Sequence, residues 1–467
     1  MEKNFVVVGG GISGLISALL IAQRRLGRVM VVEREAAVGG LLRSFDYGDH
    51  GLFDYGMHNM YDTGIEPLDD LLFGLLPKTD WQLLEGGKRD LAGLFVLNRL
   101  QLNSPFPDLR ALPEGPLRAC RESFAAQVNS GQAEDSSSAL QYARTRFGAR
   151  IADTIIAPAI EKQFRRPASE MDVMAMQLTS MTRVVMFDDP PFSDMMKSDA
   201  IRDRLGYPEQ RRLPEQYSSG RRSYYPMRYG MQRVVDALCR RLAELEVEII
   251  TGSRVIAVEC QKGTINSVTV SAAAGERRIT DIGRVIWTTG LPVIAPLLGI
   301  DLSGLPFDRP LSTVVVNILL RQPPAMGDLY YFYCYDAGFA TFRVTNFSGY
   351  CADAPRADLH PVSVELLLDP LEMSQGGFVE RALRELEAFG VVVSPKDVAF
   401  ARPEVLAAGF PMPSIRNTSS TDVIRASIAR LGISSLLTVG ILSAPRLFFQ
   451  KDVLAHVYGT LVREGLA

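Results

Sequence analysis

The sequence predicts an α/β protein, a discontinuous Rossmann-like nucleotide-binding unit interrupted by inserted α+β segments. Three observations predict it. A strand, a glycine-rich turn, a helix and a second strand follow one another within the first forty residues. Two later segments have the same strand-and-helix character, and the stretches between them mix helical and alternating periodicities.

The first strand is Phe5-Val6-Val7-Val8, followed by Gly9-Gly10-Gly11-Ile12-Ser13-Gly14 and an apolar helix beginning near Ile12. Gly9 permits the tight turn, Gly11 lets a pyrophosphate approach bare backbone, and Gly14 lets the helix pack close to the strand. The backbone of Ile12, Ser13 and Gly14 then offers free N–H groups and the positive end of the helix dipole to a diphosphate. The second strand, Val29 to Val32, ends at Glu33, 19 residues after Gly14, where a carboxylate can accept hydrogen bonds from ribose hydroxyls. An adenine dinucleotide is the expected ligand.

Arg34 to Val38 leads into a second glycine pair, Gly39-Gly40, and then Leu41-Leu42-Arg43. A second run of bare backbone so close to the first suggests contact with the same extended ligand. Next comes an aromatic and polar stretch, Asp54 to Tyr61, which contains His58.

A return to the nucleotide-binding unit is expected at Tyr224 to Met231. It continues as a helix with Val234, Val235, Leu238 and Leu242 on one face, strands at Val247–Ile250, Arg254–Glu259 and Ser267–Ser271, and the run Arg284 to Thr289. The second return is the strand Leu436 to Val439, ending at Gly440, and a helix from Val453 to Val462 for which Asp452 is the expected cap. The first insertion predicts helices at Ala139–Phe147 and Arg150–Gln163. The second predicts strands at Thr313–Leu320, Leu329–Cys334, Thr341–Thr345 and Val362–Leu368 and a helix near Gly377–Phe389. Alternation puts three of Tyr330, Tyr331, Tyr333 and Tyr335 on one face, where packing is the expected role. Arg343, flanked by apolar residues at period two, would face away from them and suits bidentate phosphate or carboxylate binding.

At 467 residues with 47% hydrophobic and 22% charged residues, the chain can bury a sizeable core and form two interwoven domains. A net charge of −3 gives no reason to expect nucleic acid. Arg211, Arg212, Arg221, Arg222 and Arg228 are offset by nearby acids, so a solvated surface is expected there. The apolar run Phe5 to Ala22 contains four glycines in the phosphate-loop arrangement, so neither a membrane span nor a signal peptide is expected, and the protein is expected to be cytoplasmic. Five cysteines without C-x-x-C spacing, with only four histidines, predict reduced thiols and no metal site.

The doublet Gly39-Gly40 behind the first glycine turn resembles the signature of the flavoprotein family that includes amine oxidases, protoporphyrinogen oxidase, phytoene desaturases and UDP-galactopyranose mutase. The resemblance implies FAD as cofactor. It implies cofactor contacts from Arg34, Gly39, Gly40, Leu41, Leu42, Arg43, Val255, Gly440, Asp452 and Val453, besides Gly9, Gly11, Ile12, Ser13, Gly14 and Glu33. It also implies an FAD-binding domain made of residues 1–90, 220–300 and 406–467, and a substrate domain made of 91–219 and 301–405 with a mainly helical insertion. The His58 loop is similar to the glycine-x-histidine-aromatic loop of UDP-galactopyranose mutase, and the Arg343 strand to its arginine-bearing substrate strand, which implies catalytic roles for His58 and Arg343.

One departure is visible. Where the mutases continue with an arginine after the strand-ending glycine, this chain has Ile441, and Phe448 and Phe449 stand where tyrosines are expected; the charge would come from Arg446 or elsewhere. The expected activity is therefore FAD-dependent oxidation of a small organic substrate by hydride abstraction. A flavin-dependent sugar-nucleotide mutase acting on an anionic substrate, with no net redox, is the alternative. A homo-oligomer is compatible with either.

Overall fold

A computed structural model describes residues 2–85, 91–218, 222–273, 275–351, 353–354, 358–392, 394–406 and 409–467. Arg221, in the arginine run, lies outside the described residues.

Five short strands form one parallel sheet in the order Glu248–Ile250, Arg28–Val32, Asn4–Val8, Ile282–Trp287, Leu436–Thr438. Parallel strands need crossovers that cover both faces, and the sequence supplies apolar residues for each. Val7, Val31 and Ile286 face one side, where they pack with the helices Ile12–Gln23, Gln232–Glu244 and Gln450–Arg463. Val6, Val8, Met30, Val285 and Trp287 face the other, against Ile265, Val268, Val270 and Ile279 of a three-stranded antiparallel sheet. The N-terminal strand sits at the centre with connections leaving in both directions, and ligands bind such sheets beyond the carboxyl ends of the strands.

A second, seven-stranded sheet runs in the order Val398–Val405, Ser312–Leu320, His360–Leu368, Thr341–Asn346, Tyr331–Cys334, Ala92–Val96, Arg99–Gln101. Its long strands bury every residue from Thr313 to Leu320 and from Pro361 to Leu368. One face packs on the helix Phe378–Ala388 through Ala382 and Leu386. A separate core joins the helical insertion, with Phe124, Phe147, Ile151, Ile160 and Phe164 completely or almost completely buried.

Two expectations need correction. The helix foreseen at Arg150–Gln163 is a composite of Ala149–Ile151, a π-helical turn at Ala152–Ile156 and Ala157–Phe164. The terminal helix begins at Gln450, its N-cap is Phe449 in an extended conformation, and Asp452 lies inside the first turn instead of capping it. Among the described residues, no helix is long and apolar enough to cross a membrane. Two arginines of the run are ion-paired, Arg211 with Asp328 and Arg222 with Asp62 at 3.1 Å.

Candidate functional site

The two glycine runs lie against each other. Gly39 donates its N–H to the Gly10 carbonyl at 2.7 Å, and a Cβ on Gly40 would stand 3.2 Å from the Gly11 Cα. Gly9, at φ +105°, turns under Thr288, and a Cβ there would meet Thr288 Oγ1 at 2.5 Å. A Cβ on Gly14 would overlap the Gly9 carbonyl oxygen. Gly9 and Gly14 are therefore needed for the chain to pack on itself. Gly11 is not: a Cβ there would meet nothing within 4 Å. It opens onto space at the start of the Ile12–Gln23 helix, whose N-terminus has no side-chain cap, and Ile12, Ser13 and Gly14 form its first turn. That combination fits a diphosphate cradle.

Glu33 is drawn into this turn. Its carboxylate accepts the N–H of Gly10 at 2.6 Å and of Glu35 at 2.8 Å, leaving each oxygen a lone pair for a further donor. Val255 is half-buried on the strand Arg254–Gln261, two residues past Ser253, whose N–H donates to the Glu33 carbonyl at 2.9 Å. Arg34 stands apart, largely exposed and paired with Glu35 at 3.0 Å. Leu41 is exposed beside the doublet and Leu42 is buried. Arg43 donates to the Gly40 carbonyl at 3.2 Å and stacks over Tyr55.

The C-terminal motif arrives at the same place. Gly440 has φ +107°, and a Cβ on it would lie 2.5 Å from the Thr288 carbonyl oxygen. Thr288 thus touches both glycine turns, while its hydroxyl donates to the Val8 carbonyl at 2.8 Å. Beside it, Thr289 Oγ1 is buried without a partner. Sequence reasoning gave neither threonine a role, although both follow directly on the strand Ile282–Trp287. Asp452 pairs with Lys451 at 3.2 Å, and the N–H of buried Val453 is consumed by Phe449 at 2.9 Å. The N–H of Val453 is thus a helical one, because the helix starts earlier than its apolar spacing suggests.

His58 and Arg343 come together. His58 is half-buried, and its pKa is pushed down to about 4, first by desolvation and then by the Arg343 charge, against a backbone hydrogen bond with Gly56. Its Nδ1 is buried without a partner. Arg343 makes a bidentate pair with its cross-strand neighbour Glu365, Nε to Oε1 at 2.6 Å and Nη2 to Oε2 at 2.8 Å. Burial alone would lower the guanidinium's pKa, but Glu365 holds it above its ordinary value. On the other edge of its strand Arg343 is paired with Tyr333, and the guanidinium lies 5.8 Å from that ring and 5.5 Å from the Phe342 ring. Tyr331, Tyr333 and Tyr335 line one face, as alternation predicts, with neighbouring ring centroids 5.4 and 6.0 Å apart.

Two further buried networks escaped sequence reasoning. Asp54 accepts from Ser44 Oγ at 2.6 Å, Tyr225 OH at 2.6 Å and the Met231 N–H at 3.0 Å, and burial pushes its pKa up to about 6. Lys162 donates to the Cys334 carbonyl at 2.6 Å and to the Thr341 carbonyl, pinning the helical insertion to the sheet, while Glu385 accepts from the N–H groups of Ala340 and Thr341. The signal for Glu365 was its place as the lone acid in an apolar strand. Lys162 had no comparable signal, since its partners are backbone carbonyls.

Residues 12–313 match the family model of the flavin containing amine oxidoreductases. No curated protein sequence matches the chain. Solved structures similar to it include a reduced UDP-galactopyranose mutase, with a TM-score of 0.75 and 18% identity over 100% of this chain and 94% of that one. A putative protoporphyrinogen oxidase from Exiguobacterium sp. 255-15 has a TM-score of 0.68 and 14% identity over 100% and 99% of the two chains. A putrescine oxidase bound to putrescine has a TM-score of 0.60 and 15% identity over the whole of both chains. At these identities the likeness to solved structures is one of fold. The cofactor is FAD, and the open cradle above Gly11 fits it.

Proposed function

We propose that this chain, which belongs to the flavin-containing amine oxidoreductase family, is an FAD-dependent oxidoreductase that removes a hydride from a small organic substrate. Bound FAD supplies the two-electron acceptor. The glycine runs at Gly9–Gly14 and Gly39–Gly40 hold its diphosphate, Glu33 and Val255 its adenosine end, and the loop after Gly440 walls the ring. Residues 1–90, 220–300 and 406–467 form the FAD-binding domain, and 91–219 and 301–405 the substrate domain. Sheet membership supports that division, since all strands of the parallel sheet come from the first set and all strands of the seven-stranded sheet from the second.

The observation that carries the oxidoreductase reading is the charge state beside His58. Arg343 is already neutralised by two short bonds to Glu365, and His58 stays uncharged at neutral pH. A neutral imidazole can hydrogen-bond and orient a substrate heteroatom but adds no positive charge, so this wall suits a substrate without a diphosphate.

The proximity of His58 to Arg343 favours a second reading, a flavin-dependent mutase acting on a sugar nucleotide without net oxidation. Anaerobic mixing with candidate substrates separates the two. Bleaching of the visible flavin band by an amine, an alcohol or a desaturation substrate is expected. Turnover of a nucleotide sugar only after dithionite reduction, with the flavin left reduced, would overturn the oxidoreductase reading.

A further inference from the structure

We propose that Arg425, on the helix Ile415–Arg430, is a positioning residue that sets the backbone of loop 440–447. The proposal rests on the reading that this loop walls the flavin ring. Arg425 Nε donates to the Ser443 carbonyl and Nη2 to the Leu442 carbonyl, each at 3.0 Å, and Nη1 pairs with Asp422. Two adjacent carbonyls of one loop are thus gripped by a planar fork whose geometry a lysine cannot reproduce.

The loop needs such a grip. Leu442 and Arg446 have φ of +57° and +58°, a conformation L residues rarely adopt unless their surroundings enforce it. Inside the loop, Ser443 Oγ donates to the Gly440 carbonyl at 2.7 Å and the Leu442 N–H to the Leu447 carbonyl at 2.7 Å. Its front end, Gly440, abuts Thr288 and so the phosphate turn of Gly9. The other charged candidate points elsewhere: Arg446 faces Asp172 of the helical insertion at 3.8 Å. Ile441 carries no charge and is partly exposed.

A peptide unit is planar and trans, so turning the Ser443 carbonyl toward Arg425 turns the Ala444 N–H to the opposite edge of that unit. Asp422 offsets the guanidinium charge, so it is this orientation of the loop dipoles that favours added electron density on the far side. Arg425 should therefore tighten FAD binding and raise the flavin midpoint potential.

The test uses the purified full-length holoprotein with three variants, Arg425→Gln, Arg425→Lys and Ile441→Arg. The readouts are the FAD dissociation constant by fluorescence and the midpoint potential by equilibration with a reference dye. Arg425→Gln is expected to weaken FAD binding about tenfold, the scale of one lost charge-assisted bond, and to lower the potential. Arg425→Lys, which cannot grip both carbonyls, should recover only part of either quantity. Ile441→Arg tests the underlying reading, because a charge on a flavin-facing loop must raise the potential. If it does so while Arg425→Gln keeps wild-type affinity and potential, the proposal fails and the reading stands. If neither variant moves either quantity, loop 440–447 does not face the flavin and both fail. Should Arg425→Gln not fold, wild-type FAD affinity in Arg425→Lys overturns the proposal.

Discussion

His58 and Asp54 lie in the same short loop and titrate in opposite senses. Folding pushes His58 down to about 4 from the ordinary 6.5, so between those values the unfolded chain binds more protons and stability rises with pH. Folding pushes Asp54 up to about 6 from 3.8, so there the folded chain binds more protons and stability falls with pH. Between pH 4 and 6 the two therefore oppose each other. His58→Gln should unmask Asp54, giving a protein that loses stability as pH rises from 4 to 6. Asp54→Asn should unmask His58, giving one that gains stability from pH 4 to 6.5. Urea unfolding at pH 4, 5, 6 and 7 measures both, and parallel slopes in the two variants would refute the assignment. His58 was legible because a histidine among aromatic and glycine residues is conspicuous in one short segment. Asp54 was not, since Ser44, Tyr225 and Met231 reach it from three separate elements and no local pattern announces the meeting.

Among the elements, the strands Thr341–Asn346 and His360–Leu368 matter most, because their register pairs Arg343 with Glu365. Removing one member of a buried ion pair strands the other charge, which typically costs 3–5 kcal/mol, whereas removing both can be nearly neutral. Arg343→Met is therefore expected to cost about 3–5 kcal/mol in denaturant unfolding. The double variant Arg343→Met with Glu365→Leu should recover most of that loss. A double variant no more stable than the single would show that the pair contributes more than mutual neutralisation. Both strands were legible as apolar runs, and so was the lone arginine. The register was not, because a one-residue bulge between Thr341 and Arg343 is invisible to an alternating pattern. Asp452 failed for a related reason. A carboxylate before an apolar helix looks like a cap, yet it is equally suited to the first turn, where it meets the dipole, and the helix extends two residues further back to Gln450.

Across the whole molecule, the proposed FAD site draws on glycine turns that are far apart in the chain and meet at Thr288, which lies against Gly9 through its side chain and against Gly440 through its carbonyl. The separate glycine motifs were readable one by one. Their convergence depends on the strand order, which puts Ile282–Trp287 between Asn4–Val8 and Leu436–Thr438, and that order is a consequence of packing both faces of a parallel sheet. FAD should then act as a common ligand of all these segments. At a hundredfold excess over its dissociation constant, a ligand bound only by the folded state adds about 2.7 kcal/mol. Stripping the cofactor should lower the melting temperature and remove hydrogen-exchange protection together at Gly9–Gly14, at Gly39–Leu42 and in loop 440–447. The central strands of the seven-stranded sheet, Ser312–Leu320 and His360–Leu368, bury their residues independently of the cofactor and should keep their protection. Deprotection at the N-terminal turns alone would mean that the C-terminal loop is no wall of the cofactor site. Refilling with FAD restores all three segments in step only if one ligand spans them.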